Sequence, residues 1–279
     1  MSERKASWPL YLGVFTTSMA VLTLEIALTR IFSVSLWYHL AFMVISTALL
    51  GFGASGTFLT LRRGLLEKKL ERNLTLFTGL MAIAIVVCFA IMVQLPIDPL
   101  APLTQGLPSN EQTWQTILLI LLLLAEYVLV VIPFFFAGLA LGGTFSAFTK
   151  RISTLYFADL IGAGVGCLVV IGALWLLPGQ GVVLFAAGLA ALAAFFFSRL
   201  RDGATPGGAP SASWATILTA AGTIFLFALS PVADRFLPLY IPPSKPLSQA
   251  KSDPTIDLVY TGFTPFAKLA CSWLPLSMV

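Results

Sequence analysis

The chain has 279 residues, of which 58% are hydrophobic and only 10% are charged. Soluble globular domains carry about 25% charged residues, so this composition excludes an ordinary soluble enzyme or binding domain and indicates an integral membrane protein. The net charge of +4 does not indicate nucleic-acid binding, because the basic residues lie in the connectors between apolar runs.

The first apolar run follows the short basic start MSERKASWP. A cleaved signal peptide would end in small residues, whereas this run is long, contains Glu25 and ends in LTR. We therefore interpret it as a retained signal anchor.

Seven apolar runs approach or exceed the length of about 20 residues that a helix needs to cross a bilayer. They cover residues 10–28, 34–61, 74–95, 114–148, 155–177, 182–197 and 214–230. The sixth run is short. The fourth run is long and contains Pro133, which indicates either one kinked helix that protrudes from the bilayer or two shorter segments. The predicted fold is an all-α polytopic membrane bundle of about seven transmembrane helices with a short irregular C-terminal tail.

Two units follow from this pattern. Residues 1–230 form the predicted transmembrane helical domain, and residues 231–279 form a polar, proline-rich tail that is too short to be a domain of its own. The segment RDGATPGGAPSAS between the sixth and seventh runs is typical of a flexible linker.

The distribution of charge predicts the orientation in a cell membrane, here expected to be an inner membrane. With a cytoplasmic N-terminus, the inner segments hold most basic residues, namely Arg4, Lys5, Arg62, Arg63, Lys68, Lys69, Arg72, Lys150, Arg151, Arg199 and Arg201. The outer loops hold Asp98 and Glu111, with Arg30 as the only basic residue near them. Seven spans then place the tail outside. Splitting the fourth run would return the tail to the inside, but would move Lys150 and Arg151 out.

The stretch GFGASG, residues 51–56, matches the dinucleotide-binding fingerprint G-x-G-x-x-G. That fingerprint needs a strand before it and a helix that opens from it, whereas this stretch lies inside the second apolar run. Small residues let membrane helices approach closely, and GLALGG and GAGVG repeat the pattern. We interpret all three stretches as helix-packing segments.

Charged side chains inside apolar helices are costly and are functional candidates by default. The intramembrane polar candidates are Glu25, Arg30, His39, Glu126 and Asp159. Structural and functional roles are equally open for Glu25, Arg30 and Asp159, whereas an interfacial role is favoured for His39. Glu25 and Arg30 are five residues apart and do not share a helix face, so His39 is the first candidate partner of Glu25. We expect the four charged side chains to face the bundle interior or an interface.

The sequence contains no catalytic motif, and one histidine cannot build a conventional metal site. Its three cysteines, Cys88, Cys167 and Cys271, are far apart and indicate neither a disulfide framework nor a zinc site. We predict no catalytic, cofactor-binding or metal-binding residue in this chain.

Three stretches together resemble the membrane-embedded N-terminal region of spermidine-synthase-like proteins, of the polyamine aminopropyltransferase family. They are LEIALTRIFSVSLWYHLAFMVISTALLGFGASG, IPFFFAGLALGGTFSAF with LYFADLIGAGVGCLVV, and the tail PPSKPLSQAKSDPTIDLVYTGFTPFAKL. The resemblance implies a multi-helix module that precedes a soluble domain. In that family the soluble domain binds decarboxylated S-adenosylmethionine through a glycine-rich loop and holds the polyamine with acidic residues.

This sequence ends before such a domain, and its ending CSWLPLSMV is not typical of a strand. We therefore expect a truncated chain that has no cofactor of its own. No catalytic residue of the family can be assigned to a position in this sequence. Glu25, Arg30 and Asp159 match recurrent positions of the family, but the resemblance assigns no role to them. Expected partners are the lipid bilayer and either a C-terminal aminopropyltransferase-like domain or a second copy of the chain, and not nucleic acid.

Three functional hypotheses stay open. The leading one is an integral membrane module of a spermidine-synthase-like protein without its own catalytic domain. The second is a transporter-like protein for a small polar or cationic solute, since intramembrane acids and interrupted helices are what such a site uses. The third is a structural membrane anchor. A cavity lined by Glu126 and Asp159 would favour transport, whereas a solid bundle would favour the anchor.

Overall fold

The structure is a computed structural model that describes residues 7–35, 42–62, 70–95, 97, 109–200, 214–238, 257–263 and 268–273. Side chains are described for the helical part of the chain but not for the two short strands near its end.

Seven long helices form the body of the molecule, and each is long and apolar enough to cross a membrane. This confirms the predicted all-α membrane bundle. The helices are α1 (Trp8–Ser35), α2 (Met43–Leu61), α3 (Leu70–Gln94), α4 (Ser109–Ala147), α5 (Ile152–Leu176), α6 (Gly179–Ser198) and α7 (Trp214–Leu229). Short 3-10 turns at Thr149–Arg151 and Ser230–Val232 precede α5 and the one-turn helix α8 (Ala233–Phe236).

Several helix boundaries differ from the apolar runs. Helix α1 continues to Ser35, so the residues that open the second run belong to the first helix. Helix α6 has 20 residues and is long enough for a full crossing, because glycine and glutamine at its start extend it beyond the apolar core of the run. Helical structure also continues to Phe236, past the predicted domain boundary.

The fourth run is one helix of 39 residues with Pro133 inside it. At about 1.5 Å per residue it is about 58 Å long, which exceeds a hydrocarbon core of about 30 Å. A proline lacks the N–H that would bond the carbonyl four residues earlier, yet the helix continues through it. The structure therefore has one continuous helix here, and the alternative of two shorter helical segments is not realised.

Helix α6 is the centre of the bundle and packs against α1, α3 and α7. Its sequence is rich in alanine and glycine, which have small side chains and let three neighbours approach. The ring of Phe227 on α7 packs against Gly188 of α6. The ring of Phe197 on α6 packs against Gly13 of α1. The most buried helix is thus the one with the smallest side chains.

Two pairs of parallel helices complete the bundle, one packed on α6 through α1 and the other packed on α3 through α4. In the first pair, Gly162 and Gly166 of α5 contact the backbone of α1 at Phe15 and Met19. A methyl group on Gly166 would lie 2.8 Å from the Met19 carbonyl oxygen. Because the residue numbers rise together along both helices, α1 and α5 run in the same direction.

In the second pair, Gly51 of α2 lies against α4, where an added Cβ would be 2.9 Å from the backbone nitrogen of Phe135. One turn further, Ser55 of α2 contacts Gly138 of α4. The predicted packing role of GFGASG therefore holds for Gly51 and Ser55. It does not hold for Gly53 and Gly56, beside which a Cβ would find open space, because they lie on other faces of the same helix.

A compact apolar cluster closes one end of the bundle, which we call the lower end. It is formed where α1, α3 and α5 begin and where α4 and α6 end, by Leu10, Val14, Leu70, Leu74, Leu141, Leu155 and Phe197. The opposite end, where α1 ends, is the upper end. Successive long helices consequently alternate in direction through the bundle.

Near the C-terminus, β1 (Asp257–Phe263) and β2 (Lys268–Trp273) form an antiparallel pair, with an irregularity in register between Leu258 and Tyr260. The tail thus contains regular structure that the prediction of an irregular tail did not include. Strand β2 also reaches into the ending that we expected not to be a strand.

Candidate functional site

A groove of about 440 Å³ lies between α1, α2, α4 and α5. Each of its walls contributes small or apolar residues, and four polar side chains line it: Ser18 and Glu25 from α1, Ser55 from α2, and Asp159 from α5. The volume is within the range of typical ligand pockets, about 300–1,000 Å³.

The groove exists because the two parallel pairs scarcely touch. Helix α1 packs extensively on α5 but only slightly on α2 and α4, and α2 is held to the bundle mainly through α4. Glycines at three positions, Gly56, Gly138 and Gly142, line the space between the pairs. A Cβ at Gly56 would find open space, whereas one at Gly138 would meet Ser55 and one at Gly142 would meet Leu59, so only Gly56 leaves free space beside it.

One face of α1 forms the floor of the groove. Ser18, Val21, Leu22 and Glu25 line it, and they are spaced at three, four and seven residues, which places them on one side of a helix. The Ser18 hydroxyl donates a hydrogen bond to the Asp159 carboxylate across the α1–α5 contact. This bond fixes one acidic group at the lower part of the groove.

The second acidic group lies higher on the same floor. Glu25 is seven residues beyond Ser18, a rise of about 10 Å along the helix. Its side chain is half-buried and has no hydrogen bond or ion pair within the described part of the chain. The backbone carbonyl of Glu25, by contrast, accepts a bond from the Thr29 hydroxyl.

The groove therefore has an acidic character. Glu25 and Asp159 are its only ionisable lining residues in the part of the chain that the structure describes. A charge at the centre of a bilayer costs about 2.5–3.5 kcal/mol on insertion scales. A cation between the carboxylates would offset this cost, and the Ser18 hydroxyl offsets only part of it.

The other sequence candidates lie elsewhere. Glu126 is only 6% exposed and lies inside the bundle on α4, but it does not line the groove. It is twelve residues from Gly138, about 18 Å along α4. The groove is thus not the cavity lined by Glu126 and Asp159 that would favour transport; it is lined by Glu25 and Asp159.

Arg30 is half-buried near the upper end and forms no ion pair with Glu25. This agrees with their spacing of five residues, which places them on different faces of α1. His39, the predicted partner of Glu25, lies outside the described residues, as does the linker of residues 201–213.

Among the polar residues of the groove, the sequence interpretation missed Ser18 and Ser55, and it assigned its glycines, such as Gly56, to helix packing alone. Ser18 had a detectable signal, since it precedes Glu25 by seven residues and so shares its helix face. Ser55 and Gly56 carried no such signal, because GFGASG was interpreted as a packing segment throughout.

Among the described residues, no group of three His, Cys, Asp or Glu side chains is close enough to hold a metal ion. Cys88 is buried and Cys167 is partly buried, and both are free thiols. The polar groups that line the described groove are thus two carboxylates and two serine hydroxyls.

No protein-family model, curated protein or solved structure matches this chain. The class of protein that the fold defines is a multi-pass, all-helical membrane bundle with an acidic groove between its helices.

Proposed function

We propose that this chain is a membrane protein that binds a small cationic solute in the groove between α1, α2, α4 and α5. One observation carries the proposal: Glu25 and Asp159, from different helices, line the same space without a basic residue beside them in the described part of the chain. Carboxylates inside a bilayer mark solute or ion sites by default. A transporter-like role is the function that uses such a site.

A second candidate is the membrane module of a spermidine-synthase-like protein, and the position of the resembling segments favours it. The segments that carry the resemblance supply Glu25, Gly56, Gly138 and Asp159, which all line the groove. Segments that are scattered in sequence thus meet at one site. The two candidates are compatible, because such a module would use its groove for the same class of solute.

We further propose that the lower end of the bundle faces the cytoplasm. Described basic residues concentrate there and are exposed, namely Arg62, Arg72, Lys150, Arg151 and Arg199. The upper end holds Arg30 and Arg235 together with Glu111 and Asp234. Basic residues near membrane spans are retained inside, which favours a cytoplasmic N-terminus.

Binding of 1,4-diaminobutane to the purified chain in detergent micelles tests the proposed cation site. Titration calorimetry should show saturable binding to the wild-type chain, with affinity at least about tenfold lower in Asp159→Asn and in Glu25→Gln. A hydrogen bond to a charged group contributes about 1.5–3 kcal/mol, which corresponds to a factor of ten or more. The matched control is Glu111→Gln, since Glu111 is exposed on α4 far from the groove.

The neutral analogue 1,4-butanediol separates charge recognition from simple filling of the groove. We expect it to bind much more weakly than the diamine. Equal affinity for both compounds, or equal affinity of all three variants for the diamine, would contradict a cation site.

A further inference from the structure

We propose that the ligand of this groove is a single-chain amphiphile with a primary ammonium head, which enters from the bilayer between α2 and α5. This inference rests on the proposed cation site and names the class of molecule that the site accepts. Two features of the groove support this proposal: its lower end is closed, and its side between α2 and α5 is open among the described helices.

The lower end of the groove is closed. Leu141 lines the groove and also belongs to the apolar cluster at the lower end, and Phe52 and Phe145, which line the groove, pack against the same cluster. Val14, one turn below Ser18, is part of it too. A water-soluble solute therefore has no straight path into the groove from this end.

The side of the groove is open among the described helices. Helices α2 and α5 do not pack substantially on each other, since each is held by its own parallel partner. Ile45 and Leu49 line the groove and are exposed at the same time, at 44% and 68%, so they form its outer rim on α2. Gly56 also lines the groove beside open space.

This opening lies on the outer surface of the bundle, where lipid surrounds a membrane protein. A molecule that enters there must be soluble in hydrocarbon, and it meets an apolar rim first and two carboxylates behind it. An alkyl chain fits the rim, and an ammonium head complements the Glu25 carboxylate at the floor, with Asp159 lower in the same groove. The half-buried Glu25 carboxylate, which has no partner in the described chain, is the group that such a head would satisfy.

Photolabelling of the full chain in lipid nanodiscs tests the proposal. The probe is an 18-carbon primary amine that carries a diazirine near its head, and the comparison probe is the alcohol of the same chain. We expect the amine to label peptides of α2 and α5 at least fivefold more than the alcohol does, with competition by unlabelled octadecylamine. Glu25→Gln should remove most of this difference, because it removes the charge that the ammonium head pairs with and keeps the length of the side chain.

Two glycines supply a matched pair of variants. Gly56→Leu places a side chain in the groove, whereas Gly53→Leu places one on a face of α2 that does not line it, and both positions have open space for a Cβ. We expect Gly56→Leu to lower labelling by the amine severalfold and Gly53→Leu to leave it unchanged. Equal labelling by amine and alcohol, or equal effects of the two leucines, overturns the proposal.

The diamine titration distinguishes the proposed cation site from the proposed lateral entry of an amphiphilic amine. If 1,4-diaminobutane binds in an Asp159-dependent manner while the amphiphilic amine does not label the groove, the lateral route is wrong and the cation site stands. If neither compound binds, both are wrong.

Discussion

At the scale of single residues, Glu126 shows that a charged side chain can be buried without a hydrogen-bond or ion-pair partner in the described part of the chain. It lies inside the bundle, as expected for a charged side chain in an apolar helix, yet no hydrogen bond or ion pair holds it within the described chain. Asp159, which is less buried, has the Ser18 hydroxyl as a partner. Burial alone therefore does not identify the acidic residue that lines the groove.

This contrast predicts the effect of removing the Glu126 carboxyl group. Glu126→Met keeps a side chain of similar length and removes a polar group whose burial is costly. We expect the variant to be more stable by about 1–3 kcal/mol, in line with the cost of a charged residue at this depth. Unfolding in micelles with a rising fraction of sodium dodecyl sulfate measures the difference.

The control for this change is Glu111→Met, which alters an exposed acidic residue near the start of the same helix. We expect its stability to stay within about 0.5 kcal/mol of the wild-type chain. A loss of stability in Glu126→Met would contradict the absence of a stabilising partner for this carboxyl group.

At the scale of elements, the parallel pair of α1 and α5 depends on two glycines four residues apart. Gly162 and Gly166 face the backbone of α1, while Gly164 between them faces open space. This is the small-xxx-small arrangement that lets membrane helices approach closely. The contact also positions Asp159, one turn before Gly162, beside Ser18.

Alanine substitutions in α5 test this arrangement. Gly162→Ala would drive a methyl group into the Phe15 carbonyl, and we expect a loss of about 1–3 kcal/mol because the two helices must move apart. Gly164→Ala should be neutral or stabilising by up to about 1 kcal/mol, since alanine favours helix and no atom lies nearby. The same micelle titration measures both. Equal destabilisation by both alanines would contradict a specific role of the α1 contact at Gly162, since alanine favours helix at both positions.

At the scale of the whole molecule, the alternation of helices and the distribution of charge predict a topology. The connector of residues 62–73 should lie in the cytoplasm and that of residues 96–113 on the opposite side. Compartment-sensitive reporters fused after Lys69 and after Gly106 should give opposite signals. The same compartment for both would contradict a single crossing by α3.

The sequence by itself determined the class of the protein, the number of spans and the polar candidates. Composition and run length were sufficient, because spanning a bilayer requires about 20 apolar residues in a helix whatever the neighbours are. The single helix through Pro133 could not be predicted, since a proline in a membrane helix is tolerated only where its surroundings compensate.

Only the tertiary structure decided which candidates share a site. Hydropathy places Glu25, Glu126 and Asp159 at approximate depths, but says nothing of which helices are neighbours. The parallel pairs of α1 with α5 and α2 with α4 brought Glu25 and Asp159 to one groove and kept Glu126 out of it. The physical reason is that glycine contacts, distant in sequence, set the distances between helices, and these distances determine where a groove remains open.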